Sequence, residues 1–323
     1  MPLVFDMPYE DLLMYDGTNP KPEDFDNFWN HGLEAMNATD SQVELVHAEF
    51  QTDYAECYHM FFTGIGGARV YAKLLKPRQA SEEISAGPAV LMFHGYSGNS
   101  GDWYDKLPYA AAGFTVAALD CRGQGGRSED TGGVVGTTLN GHIVRGLDDA
   151  PESLLYRAIF LDTAHLAKLV MEMPQVDRDR IGATGASQGG GLTLACAALE
   201  PRIRKAAPVF PFLSDYQRVW EIDQDVDAYE ELRLWFRRFD PRHEREKDVF
   251  TQLGYIDVQH LASRIRADVL MGVGLRDTIC PPSTQFAAYN KIIAPKSVVT
   301  YPDYGHEQLP GLNDRIFEFM QEL

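Results

Sequence analysis

Basic residues are scarce in this chain. Lysine and arginine number 29 against 47 aspartates and glutamates, a formal net charge of −18 over 323 residues. Phosphate backbones are met by concentrated Lys and Arg, so this balance excludes a nucleic-acid partner. It also disfavours anionic polymers and membrane surfaces, although acidity serves solubility as well. Long apolar runs are absent: none approaches the ~20 residues that cross a bilayer, so no membrane partner is expected. The start, Met1-Pro2-Leu3-Val4-Phe5-Asp6, has no basic segment followed by an apolar one, so no secretory signal is read there. Cysteine is sparse too. Cys57, Cys121, Cys196 and Cys280 lie far apart, which excludes a disulfide framework and a Cys-x-x-Cys site. Scattered thiols without a leader read as reduced and buried, and the expected location is cytoplasmic. His-Glu-x-x-His and paired Cys/His spacings are missing, so no catalytic metal and no cofactor are expected. Gly123-Gln124-Gly125-Gly126 is not followed by the Lys of a phosphate loop.

What remains is a chain 45% hydrophobic and 24% charged, enough for one large core. We read residues 1–323 as a single α/β domain with three additions: an N-terminal extension (1–40), a long loop (122–149) and a cap insertion (214–248). Residues 19–37 predict a first helix, with Pro22 in its first turn and Phe25, Phe28, Trp29, Leu33 and Met36 on one face. Strand-like runs follow at 43–51, 54–63 and 68–76, the last two joined through Gly64-Ile65-Gly66-Gly67. From Ala89 the rhythm alternates. Short apolar runs at 89–93, 114–119, 181–184, 205–210, 269–273 and 298–301 are strands. Helical stretches at 103–112, 152–173, 188–199, 282–293 and 312–323 separate them. Uninterrupted apolar strands alternating with helices argue for a mostly parallel sheet covered on both faces. The loop at 122–149 is either disordered or held by contacts, including contacts with another subunit. In the insertion, Tyr229, Leu232, Phe236 and Phe239 fall on one helix face that Asp240-Pro241 ends.

Gly185-Ala186-Ser187-Gln188-Gly189 sits between an apolar strand and a small-residue helix, the setting of an α/β-hydrolase nucleophile elbow. A serine hydroxyl needs a base, and the base needs a group to orient it. In this architecture the chain order is Ser, acid, His. After Ser187 the histidines are His243, His260 and His306. Only His306 follows a strand, at the carboxyl edge where open α/β sheets gather their reactive groups. Asp277, on the loop after the preceding strand, is the acid. Asp303 is the rival, too near His306 in one short loop to face the ring easily. Two N–H donors must meet the oxyanion. Gln188 supplies one, and Tyr96 in His94-Gly95-Tyr96-Ser97-Gly98 the other.

These segments resemble the acetyl xylan esterase / cephalosporin C deacetylase family, carbohydrate esterase family 7. Gly185-Ala186-Ser187-Gln188-Gly189-Gly190 is similar to its GxSQGG elbow, Arg122-Gly123-Gln124 to its RGQ motif, and His306-Glu307 to its terminal HE motif. His94-Gly95-Tyr96, Gly141–146 and Pro211–Asp215 resemble further family segments. The resemblance covers essentially the whole chain. It implies an α/β-hydrolase that deacetylates small substrates such as acetylated xylo-oligosaccharides and cephalosporin C. It carries Ser187, Asp277 and His306 as a triad, with Tyr96 and Gln188 as oxyanion donors. It also implies a cytoplasmic homo-oligomer, a hexamer, with residues 122–149 at an interface. The alternatives are a serine peptidase of the prolyl oligopeptidase type, although the residues before Ala89 are too few for a propeller, and a non-catalytic hydrolase-fold binding protein.

Overall fold

A computed structural model describes residues 6–78, 86–131, 133 and 135–323. Its strands are β1 (Glu44–His47), β2 (Ala55–Thr63), β3 (Arg69–Pro77), β4 (Gly87–Phe93), β5 (Thr115–Leu119), β6 (Val176–Ala186), β7 (Lys205–Val209), β8 (Asp268–Gly274) and β9 (Lys296–Tyr301). They form one sheet in the order β1-β2-β3-β5-β4-β6-β7-β8-β9. The β1-β2-β3-β5 side is antiparallel. From β5 through β4 to β9 every pairing is parallel. Strand order jumps at β4, so the carboxyl ends of β4 and β6 face a crevice where ligands of such sheets bind.

The helices are α1 (Tyr9–Leu12), α2 (Phe25–Asn37), α3 (Leu107–Ala111), α4 (Leu155–Met171), α5 (Gln188–Leu199), α6 (Tyr216–Glu221), α7 (Glu230–Phe239), α8 (Glu246–Leu253), α9 (Val258–Leu261), α10 (Pro282–Lys291) and α11 (Leu312–Gln321). One sheet face carries α3 and α11, whose Tyr109 and Phe317 rings meet at 5.1 Å. The other carries α4, α5 and α10, with α2 and the helices of the insertion outside them. All twelve residues of α5 are buried. Its small residues let it lie directly on the sheet, as a central α/β helix must. Among the described residues, no helix is long and apolar enough to cross a membrane.

The mostly parallel, doubly covered sheet is as expected, and the departures are local. The helix expected over 19–37 is α2, which begins at Phe25, and the shorter α1 precedes it. Asn19 donates its N–H to Asp215 Oδ1 (2.8 Å) and its side-chain amide to Phe250 O (3.1 Å), which pins this stretch as a strap. The first strand shrinks to β1, all four residues exposed, because Gln51 turns back to bond Ala48 and Cys57. The fourth helix starts at Leu155, since Pro151–Ser153 forms a separate tight turn. On α7, Trp235 is buried and Phe239 is 64% exposed: the last turn projects past the layer beneath it.

The described part of 122–149 is held by contacts within the chain; Gly132 and Val134 lie outside the described residues. Arg122, 1% exposed, makes a two-pronged ion pair with buried Asp162 of α4. Ser128 Oγ donates to Asp120 O (2.6 Å) and accepts the Tyr71 N–H (2.8 Å). Residues 1–5 of the proposed extension are also undescribed. The rest of it docks through Asp215, which accepts the Tyr15 hydroxyl at 2.8 Å, and through Trp29, whose indole N–H reaches Tyr255 O at 3.0 Å.

Candidate active site

Strand β6 delivers the chain to Ser187 and α5 leaves from it. The turn is so sharp that Ser187 takes φ 59° and ψ −120°. A non-glycine residue there stores on the order of 1–3 kcal/mol. The surroundings enforce it. Ser187 N–H donates to Val209 O (3.0 Å), and Ser187 O accepts from Gly191 (3.1 Å) and Phe212 (3.0 Å). Gly189 must lack a side chain, because a Cβ would lie 2.1 Å from the Phe93 carbonyl oxygen. The glycines therefore bring the elbow against the end of β4.

Asp277 leaves β8 fully buried. Its Oδ1 accepts the N–H groups of Ile279 (2.9 Å) and Cys280 (2.8 Å), and its Oδ2 meets His306 Nδ1 at 2.8 Å. A carboxylate only accepts, so Nδ1 carries the proton and Nε2 of a neutral ring keeps its lone pair. His306 sits on the loop after β9 with its ring against Phe210, centroids 4.4 Å apart. Phe210 itself has φ 31°, part of a strained stretch with Leu213 (66°) and Asp215 (51°). Asp303 is exposed and bonds to nothing among the described residues. No Ser187–His306 hydrogen bond is present among the described residues. The serine hydroxyl instead neighbours the Cys280 thiol, which burial pushes well above its ordinary pKa. Asp277, Cys280 and His306 offer donor atoms within 4.8 Å of one another, two of them already engaged in the Asp–His bond.

The loop after β4 is built to hold a backbone in place. His94 Nε2 accepts the Cys121 N–H (2.9 Å), so its Nδ1–H donates to Gly95 O (2.7 Å). Burial lowers the His94 pKa and keeps this neutral tautomer. Among the described residues the Tyr96 N–H donates no hydrogen bond. Gln188 opens α5, where a first-turn N–H has no partner inside the helix. The Gln188 side chain, fully buried, ties the elbow to everything around it. Its Oε1 accepts from Tyr156 Oη (2.7 Å) and Gln124 Nε2 (2.9 Å), and its Nε2 donates to Gln124 Oε1 (3.1 Å) and lies 3.4 Å from the His94 and Gly95 carbonyls.

The structure thus joins Asp277 to His306 by a hydrogen bond and puts Ser187, Gln188 and Tyr96 at the ends of β6 and β4. Residue reading missed Tyr156 and Glu231 as supports, and it named His94 and Gln124 only as members of motifs. For Glu231 the signal lay in its position, one before Leu232 and four before Trp235, an acid inside an apolar stripe. Its Oε1 accepts the Tyr96 hydroxyl, and burial pushes its carboxyl up to about 7. A separate apolar cleft of about 950 Å³ lies between α3 and α11. It is lined by Met92, Tyr104, Leu107, Gly185, Ala186 and Phe317 among others, but by none of Ser187, Asp277 or His306.

Comparison with known proteins bears on this geometry. The model of the acetyl xylan esterase (AXE1) family matches residues 1–323. A crystal structure of acetyl xylan esterase 1 from Thermoanaerobacterium sp. JW/SL YS485 is 59% identical with a TM-score of 0.95, covering 98% of this chain and 99% of that one. An acetyl xylan esterase from Paenibacillus sp. R4 is 37% identical with a TM-score of 0.89 over the same shares. The acetyl esterase Axe7A of Xylanibacter ruminicola is 28% identical over 300 residues, 88% of this chain; the chain spans 63% of that relative's length.

Proposed function

The chain belongs to the acetyl xylan esterase family, a family of carboxylic ester hydrolases, and from that premise we propose that it removes acetyl groups from small acetylated molecules by acyl transfer through Ser187. Ser187 Oγ attacks the acetyl carbonyl carbon while His306 Nε2 takes its proton. Asp277 holds the ring and stabilises the imidazolium. The carbonyl oxygen becomes an oxyanion that accepts from the Tyr96 and Gln188 N–H groups. The tetrahedral species collapses, the C–O bond to the alcohol breaks, and the alcohol leaves with the proton from His306. Water, deprotonated by His306, then attacks the acetyl-serine and releases acetate. The observation that carries this reading is the strained Ser187 elbow beside the 2.8 Å Asp277–His306 hydrogen bond.

The substrates proposed are acetylated xylo-oligosaccharides and acetates of the cephalosporin C type, with the chain acting as a homo-oligomer. Ser187→Ala should lower p-nitrophenyl acetate hydrolysis by on the order of 10⁴ or more. A variant keeping a tenth of the activity would remove Ser187 from the nucleophile's role. Comparing kcat/KM for acetate release from xylo-oligosaccharides, cephalosporin C and longer acyl esters tests the substrate class. Cleavage of peptide p-nitroanilides in preference to these would point to a peptidase.

A further inference from the structure

The insertion between β7 and β8 carries a carboxylate into the middle of the molecule. Glu231, on α7, is 6% exposed and gives both oxygens to distant parts of the chain. Oε1 accepts the Tyr96 hydroxyl. Oε2 accepts the N–H groups of Ile143 (2.8 Å) and Val144 (3.0 Å). The His142 N–H reaches the same Tyr96 hydroxyl at 3.4 Å. The Tyr96 ring is wedged edge-on between His142 (5.0 Å) and Phe212 (5.7 Å). Three segments meet on one side chain: the loop after β4, residues 142–144 of the long loop, and the insertion.

A buried carboxylate is costly unless its oxygens are bonded. Here the O–H and two N–H donors offset part of that cost and fix the carboxylate's direction. Tyr96 lies in no strand or helix. Its backbone is steadied by the His94–Gly95 bond, by the turn bond from Gly98 N–H to Gly95 O (3.1 Å), by Ser97 Oγ on Leu139 O, and through its own side chain. A tyrosine side chain has two torsions, so pinning its hydroxyl limits where its Cα and its amide can sit.

We propose that Glu231 is a positioning residue for the oxyanion-binding loop: by holding the Tyr96 hydroxyl against the 143–144 backbone, it aims the Tyr96 amide at the developing oxyanion. The inference rests on the reading of Ser187 as nucleophile and of the Tyr96 N–H as oxyanion donor. Glu231 touches no reacting atom and acts through Tyr96.

Two substitutions cut the link from opposite ends. Tyr96→Phe removes the hydroxyl and keeps the amide donor. Glu231→Ala removes the carboxylate, and Glu231→Gln keeps an acceptor for the two N–H groups and a donor for the tyrosine oxygen. With p-nitrophenyl acetate, Tyr96→Phe and Glu231→Ala should each lower kcat about 10-fold to 100-fold while KM moves less than about threefold. A trifluoromethyl ketone, whose serine adduct presents the oxyanion, should lose affinity in proportion to the fall in kcat/KM. The double variant should be no worse than the worse single one, because both cut one link. Glu231→Gln should stay within about threefold of wild type. If Glu231→Ala does not fold, Tyr96→Phe decides alone.

Wild-type kcat and ketone affinity in Tyr96→Phe would overturn the proposal. So would additive losses in the double variant, or a Glu231→Gln enzyme as impaired as Glu231→Ala. Fluorophosphonate labelling of Ser187 and the activity of Ser187→Ala are measured alongside. An unlabelled serine or an active Ser187→Ala defeats the underlying reading. A labelled serine with an unaffected Tyr96→Phe defeats only the role of Glu231.

Discussion

Replacing Asp277 by asparagine exchanges one oxygen for an NH₂ group at the most constrained point of the site. In the native arrangement Oδ1 accepts from Ile279 (2.9 Å) and Cys280 (2.8 Å), and Oδ2 faces His306 Nδ1 at 2.8 Å. The asparagine carbonyl can serve only one of these sides. Facing the ring, it would set an NH₂ against two backbone N–H groups and leave both unsatisfied, at about 1–3 kcal/mol each. Facing the backbone, it sets the NH₂ against Nδ1, which must then accept. The second orientation costs less and moves the ring proton to Nε2. His306 then has no lone pair for the serine proton. The same tautomer error in another serine hydrolase costs about 10⁴ in kcat, or about 5 kcal/mol of barrier at 1.36 kcal/mol per decade. Folding stability should change far less, because the two backbone bonds survive. The assay is steady-state hydrolysis of p-nitrophenyl acetate, with urea unfolding as the check on folding. Asp303→Asn is the control and should stay within about twofold, since that side chain is exposed. An Asp277→Asn enzyme retaining a tenth of wild-type kcat, or an equal loss in Asp303→Asn, would refute the reasoning.

Ser187→Gly should be more stable than Ser187→Ala by about 1 kcal/mol, because glycine relieves the φ of 59° that alanine keeps; equal urea midpoints would show that the elbow stores no strain. His165 is 2% exposed, its Nε2 lies 2.8 Å from Ser41 Oγ, and burial pushes its pKa down to about 4. The unfolded ring takes its proton near ~6.5 and the folded ring only near 4, so its contribution is complete above pH 6.5 and is lost as pH falls toward 4. His165→Gln should flatten the stability-versus-pH slope in that window by up to about 1.4 kcal/mol per pH unit, measured by urea titrations between pH 7 and 4.5. Part of the slope should persist, since burial also pushes His142 and His260 down to about 4. Superimposable slopes for the two proteins would contradict a buried neutral His165.

Much of this architecture could be read from the chain because it depends on local pattern. Uninterrupted apolar runs at β4, β5 and β7 leave no polar face, and only a covered parallel sheet accommodates them. Ser187, Asp277 and His306 could be ordered because each follows a strand, and strand ends share one edge. Element boundaries were less legible where tertiary bonds override propensity. Asn19 is held away from helix by Asp215 and Phe250. Phe239 has the spacing of a buried residue yet is 64% exposed. The supports of the site were least legible. Glu231 and Tyr96 are 135 residues apart, and nothing in the spacing of either announces the other. The reading of Gln188 gave weight to its backbone, whereas its side chain joins Gln124, Tyr156 and the loop after β4.

The complete burial of α5 has a consequence for how such a protein can change over generations. With twelve residues walled in on every side and Gly189 pressed on Phe93, the elbow offers almost no tolerated substitution that leaves it standing. Variation must accumulate elsewhere, and the loop after β7 lies against the site, with Phe210 on the His306 ring and the Phe212 N–H on Ser187 O. Phe210 takes a φ of 31° there. The elbow is thus nearly immutable, whereas the insertion mixes buried anchors such as Tyr229 and Glu231 with exposed positions such as Leu234 and Phe239 that are free to drift. A library that randomises the exposed residues of α7 and leaves Glu231, Leu232, Trp235 and Phe236 in place should yield folded, active clones, whereas one over 185–191 should yield almost none.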